Sequence, residues 1–209
     1  MTIIAFTKDT IYSDRAATTS VIARTFDGKV IRLGESILVA CAGLALTEAE
    51  MSCLSPLIPQ IIACRTPHDG YELLDEISEI FSKSNLDTTL VFTTPYRYLF
   101  LSLGRFRNEV DIFTRDEMDK MPMAIGSGAL QFIHNFEILK DVEKAVIAAA
   151  LNDPHCGRDI LSIDIKDLGK GVEEPVYVPR IKPKREGRPD RPRLKMPLPF
   201  AIPLPPRKA

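Results

Sequence analysis

The chain enters its core at its second residue. Thr2-Ile3-Ile4-Ala5-Phe6 is a β-branched and aromatic run, Lys8-Asp9 supplies a turn, and Ile11-Tyr12 opens a return strand that ends at Asp14. Most termini fray; one committed to a strand at once has its first residues fixed in space. That placement has a chemical reading. Once the small residue Thr2 allows Met1 to be removed, Thr2 carries a hydroxyl nucleophile and a free α-amine as its base on one residue. A free α-amine has an ordinary pKa of about 7.7–8.0, close to working pH, which suits a general base.

The β pattern continues to about residue 45. Ser20 to Thr25 and Lys29 to Leu33 bracket Asp27-Gly28, a two-residue hairpin signal. Ser36 to Ala42 is almost continuously apolar, the pattern of a strand buried on both faces. From Thr47 to Cys64 the spacing turns helical, with Thr47 as a candidate N-cap, Glu48 and Glu50 in the first turn, and Pro56 and Pro59 as breaks. A second helix is predicted over 69–84, with Leu73, Leu74, Ile77, Ile80 and Phe81 on one face and acids on the other.

Strand runs return at 90–94, 98–103 and 109–113. Met123-Ala124-Ile125 leads into Gly126-Ser127-Gly128, helices are predicted over 129–139 and 142–151, and 160–165 alternates as a closing strand. Strands, two helices, strands, two helices, strand is an α+β order. It suits two antiparallel sheets packed face to face with a helical layer outside each.

An apolar fraction of 45% over 209 residues is enough for a sizeable core in one domain plus an extension. The net charge of -1 hides an asymmetry: from Gly171 onward ten Lys or Arg stand against four Asp or Glu, leaving the preceding body acidic. The same stretch holds ten prolines and no apolar periodicity, so residues 171–209 are predicted to be an extended tail beyond a domain of residues 1–170. Its end, Met196 to Pro206, alternates apolar residues with prolines, as a segment lying in a groove would. Without interleaved aromatics its basic middle suits a protein surface better than a nucleic acid.

No apolar run approaches a membrane helix and the N-terminus lacks signal-peptide regions, so the expected location is the cytoplasm. Cys41, Cys53, Cys64 and Cys156 show neither metal-site nor disulfide spacing, and three of them are read as buried small hydrophobes.

Thr2 to Phe6, Asp14-Arg15-Ala16-Ala17-Thr18, Lys29 to Leu33 with Ala40-Cys41-Ala42-Gly43, Ile125-Gly126-Ser127-Gly128, and Ala148 to Gly157 with its Asp153-Pro154-His155-Cys156-Gly157 stand in one order. In that order the chain resembles the proteasome β-type subunits, over about residues 2 to 170. The resemblance implies a four-layer αββα sandwich of the N-terminal nucleophile hydrolase type, and a threonine peptidase without metal or organic cofactor. It also implies a ring or other homo-oligomer acting on peptides.

Carried over by position, Thr2 matches the nucleophile, Lys29 the ammonium that favours an unprotonated amine, and Asp14 its carboxylate partner. Gly43 matches the oxyanion donor, a role typically worth about 2.7–4 kcal/mol. Ser127 and Asp153 match the pair around the α-amine, and Thr18 and Cys41 the substrate groove and its first pocket. The sequence departs from the family at Cys156, where a serine is usual, at Leu44, where a second glycine is usual, and at the two prolines that follow.

Two other readings use the same sandwich. One is a catalytically inactive structural subunit of a larger assembly such as a viral particle, held to neighbouring subunits through residues 171–209. The other is an amidase that directs Thr2 at a small non-peptide substrate.

Overall fold

Alternation along the first strand decides the layering. In β1 (Ile4–Phe6), Ile4 and Phe6 point into one core while Ala5 and the preceding Ile3 point into another, and all four are fully buried. A strand buried on both faces needs a layer on each side. The computed structural model describes residues 2–14, 16–18, 23–25, 29–43, 48–81, 88–104, 108–152 and 159–170.

Two antiparallel sheets form the middle of the sandwich. One takes β1 with β2 (Thr10–Asp14), β10 (Met123–Ile125) and β11 (Ile160–Asp164), in the order β10-β1-β2-β11. The other runs in sequence order through β5 (Val30–Leu33), β6 (Ile37–Ala42), β7 (Thr88–Thr93), β8 (Arg97–Leu103) and β9 (Glu109–Thr114). Between them lie Ile4, Phe6, Ile11, Leu38, Ala40, Val91, Tyr98 and Phe100, with Phe6 edge-on to both Tyr98 and Phe100.

Helices cover both outer faces. Over the five-stranded sheet lie α1 (Glu48–Leu54), α2 (Ile58–Ala63) and α3 (Pro67–Phe81), with Leu54, Ile61, Leu73, Leu74 and Ile77 against Val39, Leu90, Phe92, Leu99 and Leu101. Over the four-stranded sheet lie α5 (Ala129–Leu139) and α6 (Val142–Asn152), with Phe132, Ala145, Val146 and Ala149 against Ile3 and Ala5. This is the αββα sandwich expected from the element order, and β6 is buried at all six positions, as its apolar run predicts.

Among the described residues β4 (Ala23–Thr25) pairs with β3 (Ala16–Thr18) and β5 pairs with β6; the predicted Asp27-Gly28 hairpin turn lies outside them. As Pro56 and Pro59 predict, the helical stretch over 47–64 is broken into α1, a single 3-10 turn (Ser55–Leu57) and α2, with a proline in the first turn of each later piece.

α3 begins two residues early. Thr66 Oγ1 accepts from Asp69 N, while Asp69 Oδ2 accepts from Thr66 N at 2.9 Å, a reciprocal cap that places Pro67 at the first helical position. An unanticipated short helix, α4 (Arg115–Lys120), follows β9. Its capping box, Thr114 with Glu117, is written in the sequence as Thr-x-x-Glu.

Cys41 and Cys64 are buried, Cys53 is exposed, and Cys156 lies outside the described residues. Thr47, Asp27-Gly28 and the whole of 171–209 lie outside them as well. Among the described residues no helix is long and apolar enough to cross a membrane.

Candidate active site

The β1–β2 register places Asp14 opposite Ile3, and two bonds join them. Asp14 N donates to Ile3 O at 3.1 Å, and Ile3 N donates to Asp14 Oδ1 at 2.8 Å. The same carboxylate oxygen takes a second partner, from the other sheet. Lys29 Nζ donates to it at 2.6 Å, with the Asp14 side chain 0% and the Lys29 side chain 9% exposed. Lys29 is tied to the five-stranded sheet through its own carbonyl, which accepts from Cys41 N at 3.1 Å. A buried ion pair therefore bridges the two sheets, one peptide unit from Thr2.

The β10–α5 turn holds Thr2 from the other side. Thr2 N donates to Ser127 Oγ at 3.3 Å, and Thr2 O accepts from Gly128 N at 3.2 Å. This nitrogen is the peptide N–H that follows Met1. Gly126 sits at φ +93°, and a Cβ there would lie 2.1 Å from Thr2 O, so both its backbone angle and the space beside Thr2 call for glycine.

Gly43 follows the last residue of β6, exposed, at φ +113°, in another conformation that favours glycine. Cys41, two residues earlier, is buried in the outer core with Leu54 and Leu90, and its thiol is pushed up to about 12, first by burial and then by the negative charge of Glu50. Thr18 ends β3 with its side chain outside the description, and Asp153 lies outside the described residues.

The structure thus brings Thr2, Asp14, Lys29 and Ser127 to one place. It adds two groups that the sequence reading did not single out, the amide nitrogens of Ile3 and Gly128. Main-chain donors leave little mark in a sequence; the signal here was the pair of glycines flanking Ser127. Among the described residues no group of three or more His, Cys, Asp or Glu side chains is arranged to hold a metal ion.

Known structures decide the class of this architecture. Among 174 matching chains is the crystal structure of eukaryotic HslV from Trypanosoma brucei, with a TM-score of 0.53 and 19% sequence identity, covering 78% of this chain and 98% of that one. The chain has the N-terminal nucleophile hydrolase fold. No family model matches the sequence, and no curated protein matches it. At this identity the likeness is one of fold, and the chemistry rests on the residues in place. The hydrogen bonds made by Asp14, Ser127 and Gly128 converge on the first described peptide units.

Proposed function

We propose that the chain is a proteasome-type threonine peptidase in which Thr2, freed by removal of Met1, is the nucleophile. The observation that carries this reading is the buried Lys29–Asp14 pair bonded to the amide of Ile3, the residue next to Thr2. A lysine nearly free of solvent exposure needs a reason to be there. Its charge beside an α-amine favours the neutral amine, the form that accepts a proton.

In the proposed reaction Thr2 Oγ1 attacks the carbonyl carbon of a peptide bond while the α-amine takes the hydroxyl proton. The Gly43 N–H faces the oxygen on which negative charge develops. The C–N bond breaks, the proton passes to the leaving amine, and an acyl ester remains on Thr2. Water activated by the same α-amine hydrolyses that ester and restores the hydroxyl. Ser127, which holds the Thr2 nitrogen, and Asp153 order the proton at the amine. The fold shared with HslV supports a peptidase in preference to another use of the sandwich.

The test pairs the intact mass of the purified assembly with hydrolysis of peptide and small amide substrates by wild type and Thr2→Ala. Loss of Met1, with peptide hydrolysis that Thr2→Ala abolishes, is the expected result. Met1 retained in the mature assembly sinks the proposal and leaves a non-catalytic sandwich subunit; hydrolysis unchanged by Thr2→Ala sinks it by showing an activity that does not use Thr2.

A further inference from the structure

All four main-chain polar groups of Thr2 and Ile3 are bonded within the domain. Ile3 N donates to Asp14 Oδ1 at 2.8 Å and Ile3 O accepts from Asp14 N at 3.1 Å, while Thr2 N donates to Ser127 Oγ at 3.3 Å and Thr2 O accepts from Gly128 N at 3.2 Å. Ile3 is fully buried. Gly126 presses on Thr2 from the β10–α5 turn, where a Cβ would lie 2.7 Å from the Thr2 carbonyl carbon and 3.2 Å from its Cβ. The bond that joins Met1 to Thr2 is therefore anchored on one side by a residue gripped along its whole backbone.

An aminopeptidase needs the opposite. It takes a chain end into a cleft and binds main-chain groups on both sides of the bond it cuts, so several residues must stand clear of the fold. Only Met1 and Thr2 precede Ile3, and two residues span at most about 7 Å even when fully extended. To reach further, an aminopeptidase must first break the bonds to Ser127, Gly128 and Asp14.

Nor can the site unmask itself by the chemistry proposed for it. While the Met1–Thr2 bond is intact, Thr2 N is an amide nitrogen whose lone pair is delocalised into the Met1 carbonyl, so it is no base. Lys29 sits in its ion pair with Asp14 at 2.6 Å, and an ammonium has no lone pair to offer. The base comes into being only with the cut.

We infer that the fold decides whether Thr2 can be unmasked: the Met1–Thr2 bond is open to an aminopeptidase in the unfolded chain and closed to it once the β10–α5 turn grips Thr2. In the unfolded chain water adds across the bond, its hydroxyl going to the Met1 carbonyl carbon and its hydrogen to Thr2 N, which releases methionine and leaves the α-amine. A chain that folds first keeps Met1 for as long as it stays folded. The catalytic silence of that form rests on the reading of Thr2 as nucleophile; the protection of the bond does not.

The test uses the full-length protein, produced with methionine aminopeptidase inhibited, purified folded, and then exposed to that enzyme with intact mass as the readout. Beside it runs the same chain with Met-Ser-Gly-Ser-Gly in place of Met1, which carries the leading methionine clear of the fold. The extended chain is expected to lose its leading methionine and the wild type to be trimmed about a hundredfold more slowly, at a rate set by opening of the turn. Gly126→Ala, which forces the turn away from Thr2, is expected to speed trimming about tenfold; if it melts below the assay temperature, Ser127→Ala is read instead. Wild type trimmed as fast as the extended chain overturns the inference, as does loss of Met1 without the aminopeptidase, or a variant trimmed no faster than wild type. A protected bond in a chain whose trimmed form hydrolyses no peptide upholds this inference and sinks the catalytic reading, so the two failures are told apart.

Discussion

Lys29 and Asp14 meet at 2.6 Å with almost no access to solvent, one from each sheet of the sandwich. Removing one member strands the other. Lys29→Met and Asp14→Asn are each expected to cost about 3–5 kcal/mol of stability, while the double replacement recovers part of that loss. Denaturant titration of the three variants measures the coupling. If Asp14 matters only as a partner for Lys29, the double variant regains activity along with stability. The role proposed here requires that it does not.

Gly126 offers a sharper separation of stability from chemistry. Gly126→Ala places a methyl group against the Thr2 carbonyl in a backbone conformation that alanine avoids. The expected outcome is a loss of roughly 2 kcal/mol or more, with the strain released by displacement of Thr2. Peptide hydrolysis measured where the variant is still fully folded is expected to fall by more than the population of unfolded chain accounts for.

Alkaline pH is expected to destabilise the chain through two buried groups. Burial pushes the Cys41 thiol up to about 12 and, as the largest influence, raises the Tyr98 phenol above its ordinary 10.0. Between pH 9 and those raised values the unfolded chain has lost protons that the folded chain still holds. Stability is therefore intact below about pH 9 and falls as pH rises, by up to about 1.4 kcal/mol per pH unit for each group. Denaturation midpoints at pH 8 and pH 10.5 check the direction. Cys41→Ala is expected to flatten the slope in part, at the cost of a small cavity.

Much of this architecture was legible in the sequence because burial writes a period. The face of Leu73, Leu74 and Ile77 on α3 is such a period and the unbroken buried run of β6 its limiting case, and their order gives the layers. The pairing of β4 with β3 was not read, because a β-branched run marks a strand without naming its partner. α4 was legible in principle through Thr114 and Glu117, but six residues show too little periodicity to be noticed.

The site divided along the same line. Thr2, Asp14, Lys29 and Ser127 were named by resemblance; in the structure Thr2 is bonded to Ser127, and Asp14 to Lys29 and to the amide of Ile3. The contributions of Ile3 N and Gly128 N depend on backbone geometry, which any side chain at those positions would share.

Thr2 is bonded to Ser127, 125 residues further on, and the first two strands are flanked in their sheet by strands from the last third of the domain. For a chain made from its N-terminus this has a temporal consequence. While the ribosome is still building residues before Met123, β1 lacks one neighbour and the turn that grips Thr2 does not exist. Closing so long a loop is entropically costly and is repaid only when β10 and α5 arrive. Thr2 is thus made well before the elements that set it in place. The candidate site is therefore incomplete until β10 and α5 have been synthesised.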